Sequence, residues 1–173
     1  MVSKGLTGII AGDSKISTVG IGEGLNYRGY NIKDLAEKST FEEVLYLLLN
    51  ERLPLQQELD EIIRKISQLR DIPPNLQAIL ENLPANSHPM DVLRTTCSAL
   101  GTLEPESPSN NQFEITIRLI AIFGPALLYW YHFHKSKGQL KIKTNTGAND
   151  SVASNFVKLL YYDGKEVYSF IYL

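Results

Sequence analysis

The sequence predicts a mainly α-helical protein with a small β element near its amino terminus. From Thr40 onward, apolar residues recur at three- and four-residue spacing, the period of helices that bury one side. Before Thr40, short runs of branched residues alternate with glycines, as in hairpins. Hydrophobic residues make up 43% and charged residues 21% of the 173 residues, as in ordinary globular proteins. We therefore expect a single domain covering residues 1–173.

The β element is predicted to be a hairpin of residues 6–11 and 15–19. Both runs are rich in branched side chains, and Gly12, Asp13 and Ser14 between them are typical turn residues. A glycine-rich connection over residues 20–24 follows, and then a short helix from Ile32 to Glu37.

Six longer helices are predicted after this element. The first begins at Thr40, where Thr40 and Glu43 form a capping box. The second begins at Pro54, and the third spans residues 75 to 82 or 83. The first of these helices is apolar on more faces than six helices cover comfortably, so we expect partners for it.

The remaining three helices follow after Pro84. The fourth runs from Pro89 through Leu100, with Gly101 as its C-cap. The fifth spans residues 112–134 and is expected to bend near Pro125, where a backbone hydrogen bond is lost. The sixth spans residues 150–162 and points Val152, Phe156, Leu159 and Leu160 inward.

Glycines and histidines are the first candidates for chemistry. Gly20, Gly22 and Gly24 form a GxGxG run, but it opens no helix and lacks a βαβ unit, so a flexible loop is favoured over nucleotide binding. His132 and His134 lie about 200° apart around one helix, which keeps them from sharing a metal while the helix persists. His88 precedes Pro89, and helix entry is favoured over a chemical role.

The aromatic run and the single cysteine are predicted to be structural. Tyr129, Trp130, Tyr131 and Phe133 lack the clustered basic residues of a nucleic-acid platform, so core packing is favoured. Cys97 is expected to be a small buried residue, since no base stands beside it.

Charge and hydropathy patterning favour a cytoplasmic protein without nucleic-acid or membrane partners. The formal net charge is -2, with 17 basic and 19 acidic residues interspersed. No signal peptide is recognised at the start of the chain. The longest apolar run, residues 119–131, is shorter than the roughly 20 residues of a membrane span and contains Gly124 and Pro125.

Several phrases, in order, resemble the citrate synthase family. They are GLTG at 5–8, AGDSKIS at 11–17, YRGYNIKDLA at 27–36, FEEV at 41–44 with LP at 53–54, and SHPMDVLRT at 87–95. The last phrase, together with LLYWYH at 127–132, is more similar to 2-methylcitrate synthases than to housekeeping citrate synthases. The resemblance extends from Gly5 to about Leu160 and identifies the chain as the amino-terminal part of such a protein.

This resemblance implies an acyltransferase of propionate catabolism or the tricarboxylic acid cycle. Such enzymes condense propionyl-CoA or acetyl-CoA with oxaloacetate, use no metal or redox cofactor, and usually form homodimers of mainly α-helical subunits. The chemistry needs a carboxylate base, a histidine that donates to the enolate oxygen, a histidine that polarises the ketone, and arginine clamps. The resemblance places most of these in a carboxyl-terminal half for which residues 1–173 have no counterpart.

The resemblance therefore implies no catalytic residue in this chain, and its substrate-binding residues stay unassigned. None of His88, His132 and His134 matches a catalytic position of the family. The apolar ending at residues 166–173 suggests a premature stop or a frameshift, and we expect an inactive fragment. The alternative is a non-catalytic helical assembly module that keeps the family's dimer-forming surface. Arg28 and Arg94, both in matching phrases, are expected to be structural anchors.

Overall fold

Seven helices and a small antiparallel sheet make up the described part of the chain. The computed structural model describes Ile9, residues 12–20 and residues 24–162. The described elements fall into two compact units, divided between Pro54 and Leu55. The mainly α-helical class with a small amino-terminal β element is confirmed. That residues 1–173 fold as one domain stays a prediction.

The first unit contains the sheet and two helices. Strands β1 (Ser17–Gly20), β2 (Gly24–Tyr27) and β3 (Tyr30–Asn31) pair in that order, and helices α1 (Ile32–Lys38) and α2 (Phe41–Asn50) follow. Arg28 and Gly29 join β2 to β3 with φ angles of 48° and 88°, which suit the twist of a two-residue hairpin turn.

The strand predicted over residues 15–19 has a partner that the sequence pattern did not indicate. In the described part of the chain, β1 pairs with β2, with Ser17 opposite Tyr27 and Gly20 opposite Gly24. The glycine-rich connection over residues 20–24 thus joins two paired strands. Gly20 is the last residue of β1, and Gly24 is the first residue of β2. Residues 6–8, 10 and 11 of the predicted first strand lie outside the described residues, so their pairing stays a prediction.

Capping explains where α2 begins. Thr40 Oγ1 accepts from the backbone N–H of Glu43 at 3.2 Å, and the Glu43 carboxylate accepts from the Thr40 N–H at 2.7 Å. The predicted capping box is therefore confirmed. Within α2, Leu47 is fully buried while Phe41 stays more than half exposed, so this helix is not buried on all faces.

The second unit is a helical bundle around one long helix. Its helices are α3 (Gln56–Gln68), α4 (Pro74–Asn82), α5 (Pro89–Leu103), α6 (Gln112–Lys135) and α7 (Val152–Leu160). Helix α6 packs against the other four. It is assigned as one helix through Pro125, and the bend at that residue stays a prediction. The core consists of buried residues Ile72, Leu76, Leu80, Val92, Ala99, Leu100, Ile122, Ala126, Leu128, Tyr129, Trp130, Ile142 and Leu159.

Three predicted helix details are wrong. Helix α3 begins two residues after Pro54, because the Glu58 carboxylate accepts from the Leu55 N–H at 2.8 Å and so fixes the entry there. Gly101 lies inside α5 rather than capping it. In α7, Leu159 is fully buried as predicted, but Leu160 is 37% exposed, because residues one apart point about 100° away from each other on a helix.

Candidate functional site

The three histidines all cap helices. His88 is the N-cap of α5, where its Nδ1 accepts from the Met90 N–H at 3.2 Å, so the predicted helix-entry role is confirmed. His132 Nε2 lies 2.7 Å from the carbonyl oxygen of Leu159, and His134 Nε2 lies 3.3 Å from that of Leu80. Because a carbonyl only accepts, both Nε2 atoms carry the proton.

His132 and His134 therefore serve two different neighbours. Leu159 lies in the last turn of α7 and Leu80 in the last turn of α4; each carbonyl also accepts a backbone N–H from just beyond its helix, from Tyr162 and from Leu83, both at 3.3 Å. The two rings leave α6 in different directions, as their spacing predicts. In the described part of the chain, no group of three or more His, Cys, Asp or Glu side chains is arranged to hold a metal ion.

The aromatic run of α6 is mostly core. Tyr129 and Trp130 are buried, and Tyr129 donates its hydroxyl to Glu81 at 2.5 Å. Burial, and then the hydrogen bond to Glu81, raise the pKa of Tyr129. Tyr131 is 37% exposed and its hydroxyl accepts from Lys135 at 3.1 Å. Packing with hydroxyls at a polar edge is confirmed for this run.

The two predicted arginine anchors differ. The Arg28 guanidinium donates to Glu51 at 3.1 Å, to the Leu48 carbonyl at 3.0 Å and to the Lys15 carbonyl at 3.4 Å, so it ties the hairpin turn to the end of α2. Arg94 has a carboxylate partner, Asp91 at 3.0 Å, but one turn away on its own helix. Its side chain is 78% exposed, and such pairs contribute little to stability.

The prediction that Cys97 is buried is wrong. Thr96 takes the buried position of that turn of α5, and its hydroxyl bonds to the Val92 carbonyl at 2.9 Å. The Cys97 thiol is exposed and borders a cavity of about 260 Å³ between α5 and the first half of α6. Leu100, Ile115 and Leu119 give this cavity an apolar wall.

A partly buried ion pair lines both this cavity and a second one of about 320 Å³. Arg118 holds both carboxylate oxygens of Glu104, through Nε at 2.9 Å and Nη2 at 2.8 Å, while its Nη1 donates to the carbonyls of Leu69 and Asp71. All three guanidinium nitrogens are thus occupied. The pair fixes the loop before α6 to the end of α3.

A polar cluster that the sequence did not predict lies at the end of α3. Arg70 is almost fully buried and donates to the carbonyls of Gly147 at 3.3 Å and Asp150 at 2.5 Å. The Asp150 carboxylate accepts from Thr146 at 2.5 Å and from Lys158 at 2.6 Å. Burial acts to raise the pKa of Asp150, but these hydrogen bonds and the charges of Lys158 and Arg70 lower it overall.

One described helix is long and apolar enough to cross a membrane, namely α6. Its most apolar window has a mean hydropathy of 1.4, and 44% of that window is buried inside the protein. Core helices of globular proteins have the same length and composition, and α6 packs against α3, α4, α5 and α7.

The sequence model described as "Citrate synthase, C-terminal domain" matches residues 5–170. The chain belongs to the citrate synthase family. It is 44% identical to the 2-methylcitrate synthase of Shewanella oneidensis over 162 residues, which are 93% of this chain and 42% of that protein. It is 37% identical to the citrate synthase of Deinococcus radiodurans over 126 residues, 70% of this chain and 33% of that one.

The fold agrees with this family. The crystal structure of citrate synthase from Thermotoga maritima superposes with a TM-score of 0.77 at 35% identity, covering 96% of this chain and 42% of that one. Citrate synthase from Pyrobaculum aerophilum gives 0.70 at 28% identity, over 94% and 42% of the two chains. The chain thus spans about two fifths of the length of these relatives, and the family resemblance expected from the sequence phrases is confirmed.

Proposed function

We propose that residues 1–173 are the helical scaffold of an enzyme that condenses propionyl-CoA or acetyl-CoA with oxaloacetate, and correspond to its amino-terminal part. The observation that carries this proposal is the 44% identity with a 2-methylcitrate synthase over 93% of this chain. Propionyl-CoA is the first candidate acyl donor because that relative is a 2-methylcitrate synthase. We place the protein in the cytoplasm.

We further propose that these residues do not catalyse the condensation alone. The reaction needs a base, an enolate-stabilising donor and carboxylate clamps held together. In the described residues, His132 and His134 each donate to a helix-end carbonyl, and every guanidinium nitrogen of Arg118 donates within the protein. Groups committed to such contacts support a scaffold role rather than a catalytic one.

A chimera tests the scaffold proposal directly. Residues 5–160 would replace the matching residues of the Shewanella oneidensis 2-methylcitrate synthase, and release of free thiol would be followed with oxaloacetate and either acyl-CoA. We expect turnover by the chimera and none by residues 1–173 alone. A folded but inactive chimera would contradict the scaffold role, and turnover by 1–173 above a heat-inactivated sample would contradict the second proposal.

We also propose that the chain self-associates. Met90 is 63% exposed on α5, and Cys97 with its apolar cavity lies two turns further along the same helix. Apolar surface of this kind favours association. Sedimentation velocity across a concentration series should show species heavier than 19.4 kDa, the mass of one chain. A monomer at all concentrations would contradict this proposal and the alternative of a helical assembly module alike.

A further inference from the structure

The segment between α6 and α7, residues 139–150, is fastened to the protein almost entirely by side chains, and we name it the strap. In the part of the chain that the structure describes, no backbone–backbone hydrogen bond joins residues 140–149 to another element. Ile142, its one buried apolar side chain, belongs to the apolar core, and Leu140 is half-buried against that core. Most of its attachment therefore depends on side-chain hydrogen bonds, which can be lost without unfolding a helix.

The middle of the strap caps the carboxyl-terminal end of α3. Thr144 Oγ1 donates to the Arg70 carbonyl at 3.0 Å, and Asn145 Nδ2 donates to the Ser67 carbonyl at 2.9 Å. In return, Ser67 Oγ donates to the Gly147 carbonyl at 3.1 Å. Helix ends leave carbonyls without partners, so the strap and α3 satisfy each other's backbone.

Each end of the strap is held by one ionised carboxylate. Near its start, Lys141 bonds Glu81 of α4 at 2.7 Å, and Tyr129 of α6 donates to the same carboxylate. At its other end, Asp150 accepts from Lys158 of α7 and faces the charge of Arg70. The hydrogen bond from Lys141, then that from Tyr129, lower the pKa of Glu81, and the pKa of Asp150 is lowered as well.

We propose that the strap opens as a unit, drawing Ile142 out of the apolar core while the helices packed around α6 stay in place, when the carboxylates of Glu81 and Asp150 lose their charge. Carboxylates with a lowered pKa in the folded state stabilise it above the ordinary carboxyl pKa of about 4, and that contribution is lost as the pH falls further. The strap is therefore closed at neutral pH and opens in acid while the apolar core persists. This inference does not depend on the family's reaction.

Limited trypsin digestion of the full chain at pH 7.5 tests the neutral side of the proposal. Lys141 and Lys143 are exposed in the closed strap, but the residues that follow them, Ile142 and Thr144, are buried, so we expect trypsin to cleave there only when the strap opens. We expect Asp150→Asn and Glu81→Gln each to speed cleavage there by about tenfold or more, the change for loss of one charged hydrogen bond. Asp91→Asn, which removes an exposed carboxylate from α5, is the matched control and should cleave as wild type does.

Two-dimensional NMR from pH 7 to pH 2.5 tests the acid side. Strap resonances should shift before those of α6, and the double variant Glu81→Gln with Asp150→Asn should show the shifted strap already at pH 7. If Asp150→Asn does not fold, Glu81→Gln alone should shift the strap resonances towards their open positions at pH 7. Simultaneous loss of strap and α6 resonances, or variants cleaved at the wild-type rate, would overturn the proposal.

Discussion

The core around α6 and the strap are held by opposite kinds of interaction. Around α6, buried apolar side chains from α4, α5 and α7 meet, and removal of their surface from water drives the packing. Along the strap, buried polar groups such as Arg70, Thr144 and Asn155 bond mainly to backbone carbonyls. The stability of the core should therefore fall when a buried side chain is made smaller. The attachment of the strap should weaken when a hydrogen bond or a charge is removed.

The largest expected effect tests the core with two neighbouring leucines. Leu159 is fully buried and Leu160 is 37% exposed, although they are adjacent in α7. Leu159→Ala should lower the free energy of unfolding by about 2–5 kcal/mol, because it leaves a cavity. Leu160→Ala should cost about 1 kcal/mol or less. Urea denaturation measures both, and equal losses would mean that this face of α7 is not the buried one.

A pair of arginines sharpens the comparison on the strap side. Arg70→Ala should lower the free energy of unfolding by about 2–4 kcal/mol, because the carbonyls of Gly147 and Asp150 lose a charged donor inside the protein. Arg94→Ala, at a side chain 78% exposed, should change the unfolding free energy by less than about 1 kcal/mol. Urea denaturation measures both. A large loss of unfolding free energy in Arg94→Ala and none in Arg70→Ala would mean that Arg94, and not Arg70, anchors its part of the protein.

Glu81 connects the two regions and provides a pH test. Glu81→Gln should lower the free energy of unfolding by about 1–2 kcal/mol at pH 7, because the hydrogen bonds from Lys141 and Tyr129 lose their charged acceptor. The pKa of Glu81 is lowered in the folded state, so its stabilisation is present above the ordinary pKa of about 4 and lost below it. The difference between wild type and variant should shrink as the pH falls from 5 to 3, which thermal unfolding at each pH would measure. A difference between wild type and variant that stays constant over this pH range would contradict the claim that the ionised carboxylate of Glu81 stabilises the protein.

The smallest expected effect concerns two helix glycines. A Cβ at Gly101 of α5 meets nothing within 4 Å, so Gly101→Ala should raise stability by about 0.5–1 kcal/mol through helix propensity. A Cβ at Gly124 of α6 lies 3.1 Å from the Phe156 ring of α7, so Gly124→Ala should cost about 1 kcal/mol or more by crowding. Thermal unfolding compares the two variants. A Gly124→Ala variant more stable than wild type would show that the Phe156 ring moves aside to make room for the added methyl group.

Local rules predicted the elements but not all of their ends. The capping box of Thr40 and Glu43 lies within four residues, and it marks the start of α2 as expected. Pro54 favoured an earlier start of α3, but Glu58 bonds the Leu55 N–H and moves the start to Gln56. Cys97 was expected inside because its surroundings are apolar, yet the rotation of α5 buries Thr96 instead. Adjacent positions on a helix differ by about 100°, so a small error in phase reverses burial.

The sequence by itself determined the family, through phrases that resemble the citrate synthases. It also determined the helical class, the helix-entry role of His88 and the separation of His132 from His134, because these depend on neighbouring residues or on helical spacing. Tertiary structure alone decided the strap, since Arg70 and Asp150 are 80 residues apart along the chain and no local pattern pairs them. It also decided the partners of His132 and His134, which lie 27 and 54 residues away. A hydrogen bond has a direction and one partner, so it is fixed only when the helices have packed, whereas apolar burial needs only the right periodicity.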